Sequence, residues 1–371
     1  MGQQTDGMTT EFGGDVVESL ARALKVTVRV ELKEVGTDTV LEGLLGEADS
    51  GEAIAQGMRK NGSLGGVICA LSTGGRWVST DEAEEVVDAE VDAAWNEAVW
   101  QYRSGKPRAA ELPGMTGALR AVLHHALEAA RAEGTLSVRR THVARALLEV
   151  PGTRAREAMT LERIDTAAAL ERLAALVPDE APEPFSMRVL RMGGAFGRRS
   201  NPVMRVLGSW MSGSGVNGSP VMAAVNSEAM RQAARHGRGV SGPVDLLAGI
   251  LALDRTLHVH GRTLPAELTA ANSAGDLLRG LGVRQATLQA AVAAAPPAPE
   301  DTGTTEEEPL ALTPAAQRAT DVARLSAAEH GAPTTGTVHL LAALLDDETV
   351  VGLLDVDVVA LRADLTPLLG A

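Results

Sequence analysis

His258 and His260 flank a single valine. In an extended segment alternate side chains share a face, and such a pair suits a metal ion. No third ligand accompanies them, so a metal centre is not expected. His124 and His125 are adjacent, and on a helix adjacent side chains diverge, which prevents joint chelation. Cys69 is the only cysteine, which excludes intramolecular disulfides and CxxC-type zinc or redox sites. It lies in the apolar run 67–71 and reads as a buried structural thiol, because no neighbour would lower its pKa. Gly105-Lys106-Pro107 lacks the preceding glycine and following hydroxyl of a phosphate-cradling G-x-x-x-x-G-K-[ST] loop. Neither a G-x-S-x-G elbow nor an H-E-x-x-H pair occurs. No convergent catalytic set can be assembled, and the sequence predicts a chain that is not an enzyme and uses no cofactor or metal.

The elements that would position any site are set by composition. The chain has 371 residues, enough for two or three domains with cores of their own. Hydrophobic residues make up 45% and aromatic residues only 2%, so the core must be built from Ala, Leu and Val. That favours close-packed helices and predicts an all-α fold. The net charge of −14 argues against a general nucleic-acid binder, which needs a cationic surface to displace counterions. No stretch approaches the ~20 apolar residues that span a bilayer, and the start is polar and Gly-rich, unlike a signal peptide. A cytoplasmic location is the expectation.

Internal self-similarity is the main signal. Thr313-Pro314 opens a helical pattern, and Gly336 follows 23 residues after Thr313; Ser219-Pro220 opens another, and Gly242 follows 23 residues after Ser219. A hydroxyl residue before proline starts a helix well, since the hydroxyl caps free amides and proline tolerates the first turn. The same offset runs from Thr116 to Arg139 and from Gly13 to Gly36. Four gapless frames result. Each has an alanine ten residues in (Ala23, Ala126, Ala229, Ala323), predicting a close helix contact. Gly134, Gly237 and Gly331 stand at matching helix ends. A second pattern at i, i+1, i+4, i+5 marks one buried face: Val40/Leu41/Leu44/Leu45, Val143/Ala144/Leu147/Leu148, Leu246/Leu247/Ile250/Leu251 and Leu340/Leu341/Leu344/Leu345. The alternation in 26–32 reads locally as a strand, but the frame assigns it to a helix.

The segment Leu312-Thr313-Pro314-Ala315-Ala316-Gln317-Arg318-Ala319, followed by Thr335-Gly336-Thr337-Val338-His339-Leu340-Leu341, resembles the Clp amino-terminal repeat. That repeat belongs to the substrate-receiving domain of Clp-type AAA+ unfoldases, in which two repeats of about four helices form a pseudo-twofold domain. The resemblance covers 312–369, 219–292, 116–173 and 13–60. It implies two such domains: one at 1–177, with an insertion at 61–112, and one at 219–371, joined by a linker at 178–218. Within the insertion, 67–71 and 76–78 flank Ser72-Thr73-Gly74-Gly75 as a small hairpin, and Ser79-Thr80-Asp81-Glu82 caps a helix with the stripe Val87, Val91, Trp95 and Val99. Trp100 and Tyr102 fall partly off the stripe and either anchor a partner or cover the second repeat locally. The acidic, Pro-rich segment 296–309 reads as a solvated loop.

In some family members the acidic residue of the G-T-E-H turn receives phosphoarginine-bearing substrates. Its positions here are Asp38, Thr141, Val244 and Val338, of which Asp38 alone keeps the charge. An aromatic residue before the opening hydroxyl lines a peptide and antibiotic pocket; its positions here are Phe12, Met115, Gly218 and Leu312. The resemblance therefore implies ligand-binding roles for Phe12, Asp38, Met115 and Thr141. His142 and His339 fill the family's histidine position, where a role in the turn or in local packing is expected. Repeats without an ATP site imply a non-catalytic protein-binding module of the Clp protease/chaperone system. It would act as adaptor, regulator or decoy, with the Clp unfoldase, its substrates or peptide-like inhibitors as partners. The other reading is a helical interaction scaffold unrelated to proteolysis.

Overall fold

A computed structural model describes residues 7–84, 86–104, 112–176, 183–196, 219–294 and 312–370. The chain divides into two compact units: Thr10–Pro182, and Glu183–Ala371 together with Met1–Thr9. Among the described residues both are helical, the first with four two-residue strands besides.

The first unit runs β1 (Glu11–Phe12), α1 (Gly14–Arg29), β2 (Glu34–Val35), α2 (Thr37–Leu45), α3 (Ala48–Ala55), α4 (Met58–Gly74), α5 (Ala89–Arg103), β3 (Gly114–Met115), α6 (Gly117–Ala132), β4 (Ser137–Val138), α7 (Arg140–Glu149), α8 (Arg154–Leu161) and α9 (Thr166–Ala175). The strands pair in parallel and reciprocally. Glu11 and Phe12 lie opposite Ser137 and Val138, and Glu34 and Val35 lie opposite Gly114 and Met115. Each repeat thus lends its opening strand to the middle of the other.

The second unit contains α10 (Phe185–Met192), α11 (Pro220–Arg235), α12 (Pro243–Val259), α13 (Ala266–Thr269), a 3-10 turn (Ala270–Asn272), α14 (Ala274–Gly280), α15 (Gln285–Ala294), α16 (Pro314–Glu329), α17 (Thr337–Leu344), α18 (Glu348–Leu353) and α19 (Val358–Leu365). A parallel bridge joins Ser241 to Leu312, the frame positions of Val35 and Met115.

The opening helices end alike in all four frames. Glu31, Gly134, Gly237 and Gly331 are left-handed, with φ of 56°, 69°, 70° and 69°. The following amides of Leu32, Thr135, Arg238 and Ala332 each donate to the carbonyl five residues back, at 3.0, 3.0, 2.9 and 2.9 Å. This is the closure that satisfies late helix carbonyls. The run 26–32 is therefore helical as far as Arg29. Thr116, Ser219 and Thr313 cap their helices through side-chain oxygens, and Gly13 occupies the equivalent place without a side-chain bond.

All sixteen central-helix positions of the i, i+1, i+4, i+5 pattern are buried, as are Ala23, Ala126, Ala229 and Ala323. Complete burial of one such Leu or Ile stabilises by about 1.5–3 kcal/mol, so this face supplies much of each core. At Gly249 the close contact is explicit: a Cβ there would lie 2.8 Å from Val225 O and 2.9 Å from Ala229 N.

The insertions depart from expectation. The segment 67–78 is not a hairpin; 58–74 is one helix. Leu64, Val67, Ile68 and Leu71 follow helical spacing, and Gly75 is a left-handed C-cap whose successor Arg76 donates to Leu71 O. The helix places Leu64 and Ile68 inward and leaves Cys69 exposed, so the cysteine is not a buried thiol. The helix carrying Val91, Trp95 and Val99 starts at Ala89, capped by Asp88 and not by 79–82. Val87 is exposed. Tyr102 packs against the core. Residues 185–192, assigned to the linker, form a helix that buries Met187 and Leu190 in the second core. The rest of the expected linker from 197 to 218, the segment 296–309 and Gly105-Lys106-Pro107 lie outside the described residues. His258 is helical, not extended, and the His260 ring bonds Thr256 O of its own helix.

Candidate functional site

The four residues implied as ligand-binding fall at the two strand pairings of the first unit. Phe12 sits on β1 opposite Val138, just ahead of α7, which carries Thr141; Met115 sits on β3 opposite Val35, just ahead of α2, which carries Asp38. Phe12 is buried in the core and its amide donates to Glu90 Oε1 at 3.0 Å. Met115 and Thr141 are half-buried. Asp38 is 2% exposed.

Asp38 is met by residues from outside its own repeat. Its Oδ2 accepts from Ser72 Oγ of α4 at 2.8 Å, and the Arg154 guanidinium stands 3.9 Å from Oδ1. Oδ1 itself has no hydrogen-bond partner. Burial pushes the Asp38 carboxyl above the ordinary carboxylate range, because the ionised form loses hydration. The Ser72 hydroxyl and Arg154 act in the opposite direction.

Beside it lies Asp81, fully buried and left-handed at φ 59°. Its Oδ2 accepts from Thr37 N at 2.9 Å and Thr116 Oγ1 at 2.7 Å. Its Oδ1 accepts from Thr37 Oγ1 at 2.6 Å and Arg154 N at 3.0 Å. One carboxylate thus serves the starts of α2, α6 and α8, whose first-turn amides have no intrahelical acceptors. Sequence reading passed over this cluster. Asp81 looked like a local helix cap, and no pattern ties it to Thr37 and Arg154, 44 and 73 residues away. The one available signal is an acid in a segment that no repeat frame covers.

Beside the β1–β4 pairing Asp15 plays the comparable part, its Oδ2 accepting from Arg140 N at 3.1 Å. In the second unit Asn272 Oδ1 accepts from Thr337 N at 3.0 Å. No acid stands at Val244 or Val338; Val338 is buried and Val244 packs against the core. Leu312 is half-buried and Gly218 lies outside the described residues.

A further bond recurs in every frame. The amide before each central helix donates to a side chain three residues on: Gly36 N to Thr39 Oγ1 at 3.0 Å, Arg139 N to His142 Nδ1 at 2.9 Å, Gly242 N to Asp245 Oδ2 at 2.9 Å, and Gly336 N to His339 Nδ1 at 3.0 Å. His142 and His339 therefore serve the turn. Their Nε2 atoms meet Glu133 Oε2 at 3.0 Å and Leu369 O at 2.9 Å. The His142 bond, aided by Arg145, holds the Glu133 carboxyl below its ordinary range. Burial pushes Asp245 upward against the pull of Arg238.

Among the described residues no group of three His, Cys, Asp or Glu side chains could hold a metal, and no helix is long and apolar enough to cross a membrane. His124 and His125 turn to different acids, Asp88 and Glu149. What the polar junction offers chemically is hydrogen-bond donors directed at a carboxylate and a second carboxylate with one oxygen that accepts no hydrogen bond. No family model, curated protein or solved structure matches the chain.

Proposed function

We propose that this chain is a non-catalytic protein-binding module of the Clp protease/chaperone system. In this reading it consists of two Clp-N-like domains, each a pseudo-twofold pair of repeats, and acts in the cytoplasm as adaptor, regulator or decoy. The observation that carries the reading is the amide-to-side-chain bond before the central helix, present at one frame position in all four repeats. The reciprocal strand register of the first unit adds support. Partners would be the Clp unfoldase, its clients or peptide-like inhibitors. Met115 and Thr141, being half-buried, are the implied residues a ligand reaches without rearrangement. The test is biolayer interferometry of the pure chain against Clp unfoldase rings, an unfolded model client and a cyclic peptide inhibitor of the unfoldase. Saturable binding to at least one, weakened by Thr141→Arg, is expected. Binding to none, or turnover of ATP or peptide by the pure chain, overturns the proposal.

A second reading, a helical scaffold unrelated to proteolysis, is favoured by the burial of Phe12 and Asp38 and by valine at two of the four acid positions. It predicts no binding to any of the three probes by a chain that is folded.

A further inference from the structure

The segment 75–84 belongs to no repeat, yet it is held as a bound peptide would be. Glu157 accepts from the amides of Val78 and Ser79, at 3.0 Å and 2.8 Å. The Arg154 side chain donates to Ser79 O at 3.5 Å and Thr80 O at 3.4 Å. Ala118 N donates to Asp81 O at 3.0 Å, and Ser79 Oγ donates to Gly152 O at 2.6 Å. The Asp81 carboxylate enters a cradle of four donors: Thr37 N, Thr37 Oγ1, Thr116 Oγ1 and Arg154 N.

Two observations make this more than a helix cap. Among the described residues from 75 to 88, Asp81 alone is buried, and Val78 is 89% exposed. Trp77, half-buried against the core, is the segment's one apolar anchor among the described residues, and a stretch with so little apolar contact belongs to the part of a fold that opens locally. Second, Asp38 Oδ1 at the edge of the same cradle is buried and accepts no hydrogen bond, with the Arg154 guanidinium 3.9 Å away. A Cβ placed on Gly36 would lie 2.3 Å from that oxygen and 3.1 Å from Asp81 Oδ2. The cradle thus accepts a carboxylate and leaves an adjacent acceptor that Asp81 does not satisfy.

We propose that 75–84 is an intramolecular plug in a peptide-binding site. When the plug lifts, the site takes an extended acidic peptide in trans: its aspartate in the four-donor cradle, its backbone on Glu157 and Arg154, and an N–H donor on Asp38 Oδ1. The site is independent of any Clp partner and has the opposite charge preference to a guanidinium-binding pocket. Occupancy in trans costs the free energy of lifting the plug, so removing the plug's carboxylate raises affinity.

A labelled peptide with the sequence of residues 77–84 is titrated by fluorescence anisotropy into the full chain and into its Asp81→Ala variant, with circular dichroism confirming that each is folded. Saturable binding to the variant is expected, about ten-fold tighter than to the unaltered chain, and a peptide with asparagine in place of its aspartate should lose it. A folded variant that takes no peptide, or equal affinity in both chains, overturns the proposal. Should the variant not fold, amide exchange of the unaltered chain decides. Excess peptide should accelerate exchange in 75–84 several-fold while leaving α1 unchanged; an unaltered rate overturns the proposal.

Discussion

Asp38 carries a carboxyl group into a space that supplies one hydrogen bond and a distant guanidinium. Burial, with the nearby Asp81 charge adding to it, raises its pKa in the folded chain. The folded state then holds the proton more tightly than the unfolded state does. Stability therefore falls as pH rises from the ordinary carboxylate value, about 4, through the raised folded value, and is level above it. Asp38→Asn keeps an acceptor for Ser72 and removes the ionisation. Urea unfolding should find the variant at least as stable as the parent at pH 7, with the difference between them shrinking as pH falls through that window. A variant less stable at pH 7 than at pH 4, relative to the parent, would mean that Arg154 outweighs burial. The frame identified Asp38 as the one acid at its turn, but not its inaccessibility. That depends on Ser72, Asp81 and Arg154, which approach from other segments.

At the scale of elements, two glycines on central helices test whether packing or propensity decides. Gly43 and Gly249 occupy the same frame position. A Cβ at Gly43 meets nothing within 4 Å, whereas at Gly249 it would press on the backbone of α11. Gly43→Ala should stabilise by up to about 1 kcal/mol through helix propensity. Gly249→Ala should instead destabilise by about 1–3 kcal/mol, because overpacking exceeds the propensity gain. Thermal melting of the pair reads the difference in sign. The helix ends give a further case. Glu31 holds the left-handed position that glycine fills in the other three frames, and a non-glycine residue there costs about 1 kcal/mol or more. Glu31→Gly should raise the melting temperature, and an unchanged one would show that its side chain compensates. Helix starts, ends and buried faces were legible because they depend on residues within a few positions of one another. The Gly74-Gly75 pair misled because a C-cap and a hairpin turn both call for left-handed backbone, and only the inward packing of Leu64 and Ile68 distinguishes them.

At the scale of the whole molecule, each compact unit has an apolar core drawn from both of its repeats. Leu147, fully buried on α7, shares its core with Leu41 of α2 and Leu119 of α6. Leu147→Ala should cost about 2–5 kcal/mol and accelerate amide exchange throughout residues 10–182, the first repeat included. An effect confined to α7 and its neighbours α8 and α9 would show that the repeats open separately. The sequence by itself determined the helical class, the four frames and the inward face of each central helix, because periodicity and capping are local and were repeated often enough to stand out. The tertiary structure decided which frame residues are accessible, that 185–192 completes the second core, and that Asp81 fills the junction of three helix starts. Those outcomes are set by contacts between residues tens of positions apart, and a carboxylate's place in such a junction leaves no trace in the spacing of its neighbours.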